Sequence, residues 1–144
     1  MTRNAKTIEE KAKQLRLEAL RYCETADRNL KLALLEAEQR IKQAKQEFMK
    51  REQEVTNLSK NFAMGRVAKI VEFTKRMVDQ KPVDLHELKP GEVEALHKYF
   101  VPYIQQLKVV ELRQKEFDLV KEKIEVNAKV YMLYKQEAET ADDS

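Results

Sequence analysis

A chain of 144 residues has room for one domain and for no second core of useful size. Charged residues make up 37% and apolar ones 42%, while Gly (65, 91) and Pro (82, 90, 102) are too few to supply the turns of a multi-strand fold. The net charge of +3 divides into +5 over residues 1–51 and −2 over residues 52–144, a modest asymmetry that suits a polyanion or an acidic partner but is also an ordinary solvated helix face.

Thr7-Ile8-Glu9-Glu10 has the form of a capping box, in which the Thr hydroxyl and Glu10 satisfy each other's orphan amides, and predicts a helix from about residue 8. No Gly or Pro follows until Gly65. Leu15, Ala19, Tyr22, Ala26, Leu30, Ala33, Ala37, Ile41, Ala44, Phe48, Val55 and Phe62 recur at helical steps and form one stripe. The helix is expected to reach about residue 79; near 55–65 its weakest stretch is Val55-Thr56-Asn57-Leu58-Ser59, whose β-branched and cap-forming residues could end or bend it, and the sequence leaves open whether the helix is continuous there. Within 61–79, Phe62, Val67, Ile70, Val71, Phe73, Met77 and Val78 share one arc, and Lys69, Glu72, Lys75, Arg76 and Asp79 lie opposite. Arg66 is the exception, projecting near the apolar side.

Pro82 stops this run, because the residue before a proline is pushed out of helical geometry. Residues 80–89 form a connector in which Asp84 caps a single turn. Pro90 then opens a second helix over about 90–138, favoured by Glu92 and Glu94 near its positive end. An acidic tail, 139–144, follows. In this helix Val93, Leu96, Phe100, Tyr103, Leu107, Val110, Phe117, Ile124, Ala128 and Tyr131 keep a coiled-coil repeat, with Gln114 and Lys121 in its polar gaps. Val109, Leu112, Leu119, Val126, Val130 and Leu133 keep the same period on nearly the opposite side. One partner helix cannot cover both.

The fold expected is all-α, a single domain built as a long antiparallel helical hairpin of coiled-coil character and completed to a bundle by partner helices. With residues 79 and 90 opposite each other, residue 65 meets residue 104, so that Gly65 lies beside a Pro102 kink. Residue 138 meets residue 31, which leaves 8–30 as an overhang. Leu15, Tyr22 and Leu30 on the overhang, and Leu112, Leu119, Val126, Val130 and Leu133 on the second stripe, are the expected partner-packing residues.

Catalytic chemistry finds little to stand on. His86 and His97 are too few for the usual zinc ligand sets, and Glu94-Ala95-Leu96-His97 supplies one copy of a pattern that di-iron bundles need twice. Ser59 and Ser144 have no histidine nearby in sequence, Cys23 has Arg21 close by but no evident base, and there is no glycine-rich phosphate loop. No enzyme activity, cofactor, metal or small-molecule substrate is expected. One cysteine excludes an internal disulfide, and no apolar run approaches the roughly 20 residues of a membrane span. The N-terminus shows no signal-peptide core, so a cytoplasmic location is expected.

Lys60, Arg66, Lys69, Lys75 and Arg76, interleaved with Phe62 and Phe73, are the candidate nucleic-acid-binding residues: cations would hold phosphates while an aromatic stacks on a base. The competing account buries the phenylalanines and lets the cations snorkel around them. Two functions follow. The first is a non-enzymatic scaffold or assembly subunit that acts by helix–helix packing within a homo- or hetero-oligomer. The second is a small basic helical subunit of a nucleoprotein complex binding RNA or DNA, such as the small subunit of a guide-RNA effector. In size and hairpin outline the chain is similar to short stalk proteins of the flagellar export apparatus and to tethering-complex subunits, a similarity of general shape.

Overall fold

The computed structural model describes the backbone of residues 2–143 and the side chains of residues 7–140. The fold is all-α, with no strand among the described residues: α1 (Thr2–Ser59), α2 (Met64–Val78), α3 (Pro90–Ala95) and α4 (Val101–Asp143), with a 3-10 turn at Leu85–Glu87 and a π turn at Leu96–Phe100. Segments of the long helices α1 and α4 pair antiparallel, as in a helical hairpin, within each of the two units described below.

Helix α1 begins at Thr2, so Thr7 lies inside the helix and the expected start at the capping box is corrected. It stops where β-branched and capping residues collect. The Ser59 hydroxyl donates back to the Val55 carbonyl at 2.6 Å, and Asn61 and Phe62 amides donate to Leu58 and Ser59 carbonyls at 3.0 and 3.2 Å, tightening the last turn. Ala63, extended at φ −64° and ψ 148°, then lets α2 start in a new direction. Helix α2 ends in a Schellman arrangement: Lys81 donates to the Arg76 carbonyl at 2.8 Å and Gln80 to Met77 at 3.0 Å, with Gln80 at φ 60°. In the connector, Asp84 accepts from the His86 amide at 3.0 Å and holds the single turn.

Pro90 occupies the first turn of α3, as its missing N–H allows. The path from Pro90 to Asp143 stays helical, with a π turn just before Pro102: the Val101 amide reaches five residues back to Leu96. The widened turn comes just before the proline, whose ring and missing N–H disturb ordinary helical bonding. It carries Leu96 and Phe100, both fully buried. The helix runs on past the expected end at about 138, through the acidic residues to Asp143; Ser144 lies outside the described residues.

The chain divides into two compact units, Gln39–Lys115 on one hand and Met1–Glu38 with Glu116–Ser144 on the other. The first has a genuine core. Val55 from α1, Ile70 and Phe73 from α2, Leu88 from the connector, and Ala95, Leu96 and Phe100 from the second arm pack together. Full burial of side chains this size contributes about 1.5–3 kcal/mol each. Helix α2 runs parallel to the second arm, because Arg66 sits beside Glu92 and Asp79 beside Lys108. Helix α1 runs antiparallel to α4 here, Phe48 stacking on Tyr103 at 5.2 Å between ring centroids and Gln106 donating to the Ala44 carbonyl at 3.0 Å. Thr74, wholly buried, spends its hydroxyl on the Ile70 carbonyl at 2.7 Å.

The second unit is a pair of antiparallel segments. On α1 Cys23 and Ala37 are buried and Ala12, Ala19, Ala26, Leu30 and Ala33 half-buried, and on α4 Phe117, Val120, Ile124, Tyr131 and Tyr134 are half-buried. The Asn127 amide of α4 reaches the Cys23 carbonyl at 2.9 Å.

These contacts correct the expected register. Gln106 lies opposite Ala44 where Ala63 was expected, and Asn127 opposite Cys23 where Lys42 was expected. The cause is the break after Ser59. Helix α2 folds back and takes the place beside the second arm that a continuous first helix would have filled. Arg66 therefore meets Glu92 and not Tyr103, so Gly65 and Pro102 do not share a level; a Cβ on Gly65 would meet nothing within 4 Å. The overhang of 8–30 shrinks in turn, with Cys23 buried and Leu30 half-buried.

Candidate interaction surfaces

Two helices side by side leave a groove along each flank, and one flank of the paired unit is apolar. Ala19, Tyr22, Ala26 and Leu30 form its α1 wall, and Leu119, Val126, Val130 and Tyr134 its α4 wall, with Glu122 and Lys123 among the lining residues. Tyr22 is 76% exposed, Leu119 51% and Val126 53%, high values for residues at helical spacing on facing walls. Ile8, Leu15 and Tyr22 recur every seventh residue on α1, and so do Leu119, Val126 and Leu133 on α4. Leu15 and Leu133 are also exposed, whereas Leu30 and Val130 are half-buried. Leu112, in the cored unit, is exposed as well. The opposite flank is more polar: Glu24, Asp27 and Arg28 line it with Asn127, Tyr131 and Met132, and the Tyr131 hydroxyl reaches Glu24 at 3.4 Å.

The five basic candidates of the cored unit do not form one free cationic face. Arg66 donates from Nε to the Glu92 carboxylate at 2.7 Å and from Nη2 to its other oxygen, and Nη2 also reaches the Glu87 carbonyl at 3.2 Å. Lys69 lies 3.6 Å from Glu87 and over the Phe73 ring, 5.7 Å from its centroid. Arg76 pairs with Glu72 at 3.5 Å. Lys60 and Lys75 are exposed and make no ion pair among the described residues. Phe73 is buried in the core and Phe62 packs against it, so neither presents an open ring face to a base.

Glu92 is the residue that sequence reasoning missed. It looked like a charge placed to favour a helix start, and it does accept from the Lys89 amide at 2.8 Å. It is also only 2% exposed and takes both arms of Arg66. Those guanidinium bonds, with the Lys89 amide, hold its carboxyl at about 2 against the opposing effect of burial. Asp79 is likewise lowered by Lys108. The available signal was an acidic residue two places after Pro90, facing an arginine on an apolar arc.

Among the described residues no three His, Cys, Asp or Glu side chains stand close enough to hold a metal ion. His86, Glu94 and His97 are exposed, and Cys23 is buried. No described helix is long and apolar enough to cross a membrane. No family model matches this chain, and neither do curated proteins or solved structures, which leaves the apolar groove and the charge pairs to carry the functional reading.

Proposed function

We propose that this chain is a non-enzymatic, cytoplasmic assembly subunit that acts by helix–helix packing, its paired unit supplying two helices to a bundle that further helices complete. The observation that carries this is the groove that has exposed Tyr22 on one wall and exposed Leu119 and Val126, seven residues apart, on the other. Such spacing is what a partner helix reads, and a solvated face has no use for it.

The test is purification from the native host at moderate salt, comparing wild type with a Leu119→Glu, Val126→Glu double variant and identifying the protein and nucleic acid that come along. Both positions are exposed, so helicity should be unchanged. The variant should lose protein partners that the wild type holds. If it keeps them all, the assembly reading falls. If salt-sensitive nucleic acid is retained instead, and reversing Lys69 and Arg76 to Glu removes it, the nucleoprotein reading replaces it.

A further inference from the structure

We infer that the paired unit is a clasp: its α1 and α4 segments, residues 7–38 and 116–140, part from each other and close again while the cored unit stays folded. The inference stands apart from the assembly reading above and gives it a mechanism. A partner that binds only the closed clasp shifts an equilibrium that the free chain already has.

Burial carries it. A segment opens by itself when it has few buried apolar contacts and much of its surface already faces water. Among the described residues of the paired unit, Cys23 and Ala37 are the buried ones, and both are small. The cored unit buries Ile70, Leu96 and Phe100 completely. Of the thirteen exposed large apolar residues among those described, ten belong to the paired unit, where closing the pair leaves them in water. Closing therefore gains little of the burial that offsets the entropy of fixing two helices side by side.

The hydrogen bonds across the pair are also easy to give up. Asn127 donates to the Cys23 carbonyl, and the exposed Tyr131 hydroxyl to Glu24. The Cys23 carbonyl lies in the interior of α1, where helical geometry already bonds it to the amide four residues on. Parting leaves no orphaned acceptor, and water takes over the Asn127 amide. Neither segment holds a Gly or Pro, so both keep part of their helix when apart. Opening the cored unit would instead strip the buried Glu92 of Arg66 and expose Phe100.

Cys23 reports on the opening, because it is the one cysteine of the chain and only 4% exposed. The test is the rate at which excess N-ethylmaleimide labels it in the full chain in native buffer, set against the urea-unfolded chain and against global stability from urea titration. Wild type should label more slowly than the unfolded chain, yet at least about 100-fold faster than global unfolding would allow. Asn127→Ala, and Phe117→Ala ten residues along α4, should each speed labelling about fivefold. Phe100→Ala and the milder Ile70→Val weaken the cored unit and should leave the rate within about twofold of wild type.

Labelling that rises with Ile70→Val in step with the lost global stability overturns the proposal, since Cys23 would then be exposed only when the whole chain unfolds. So does a rate unmoved by Phe117→Ala, which would mark a fluctuation at Cys23 alone. A wild-type rate equal to that of the unfolded chain overturns it too, because such a clasp never closes.

Discussion

Residues 39–115 bury Ile70, Leu96 and Phe100 completely, whereas in the paired unit Cys23 and Ala37 are the buried residues among those described. Both units draw on α1 and α4, and both helices are amphipathic in each. The difference lies in a third layer. Helix α2, the connector residue Leu88 and the π turn close over the cored unit, and no such element closes over the paired unit. Two helices shield one narrow seam, and any further apolar residue must face a flank. Stability in this chain should therefore be concentrated in one unit and partner recognition in the other.

The sharpest test of that division is truncation in each unit. Phe100→Ala empties a site with no solvent access and should cost about 3–5 kcal/mol. Leu35→Ala, on an exposed position of the paired unit, should change stability by less than about 0.5 kcal/mol. Urea titration followed by circular dichroism measures both, and comparable costs would break the comparison.

The buried ion pair gives the next effect. Arg66→Ala leaves the buried Glu92 carboxylate without its main partner and should destabilise the cored unit. The pH dependence has a definite sign. Because the carboxyl is depressed on folding, its contribution is fully present above the ordinary carboxylate range and is lost as pH falls toward about 2. Arg66→Ala should thus raise the acid-unfolding midpoint of the cored unit. An unchanged midpoint would mean that the pair is not what holds α2 to α3.

A smaller effect belongs to the paired unit. Asn127→Ala removes the amide that reaches the Cys23 carbonyl, a hydrogen bond with a net contribution of about 1 kcal/mol. Amide exchange should quicken around Cys23 and stay unchanged around Phe100. Equal acceleration in both places would show that the units open together.

The same contrast decides what was legible in the sequence. Helical content, the weak stretch before Ser59, the turn at Asp84 and the second start at Pro90 follow from propensity and capping, which act locally. The seam of α1 was half read. Ala19, Ala26, Leu30, Ala33 and Ala37 of the expected stripe are buried or half-buried, but Leu15 and Tyr22 are exposed and Cys23, outside that stripe, is buried. On α4 the expected seam residues Phe117, Ile124 and Tyr131 are half-buried, but Ala128 and the gap position Lys121 are exposed, one residue away from half-buried Asn127 and Val120. An asparagine inside a seam is invisible to an apolar pattern until its carbonyl partner is known. Register failed for a different reason: whether a chain continues or folds back after Ser59 depends on what α2 can bury, and that is tertiary. The Arg66–Glu92 pair depended on the fold-back and could not be found without it.

The last prediction concerns Gln80, the residue on which the return of the chain after α2 depends. Its φ of 60° lies in the left-handed region, where a side chain crowds its own backbone and glycine does not. The conformation is held by the Gln80 bond to Met77 and the Lys81 bond to Arg76, and Pro82 follows at once. Gln80→Gly removes the crowding but loosens the unfolded chain, so the two effects partly offset. The strain term should win by about 0.5–1 kcal/mol, because the native geometry is one glycine adopts freely. That corresponds to a rise of roughly 2–4 °C in Tm. The gain should appear as slower amide exchange in α2 and the cored unit, with residues 7–38 unaffected. A lower Tm, or protection gained equally in the paired unit, would show that the Gln80 side chain contributes more than its backbone costs, or that the two units share one cooperative transition.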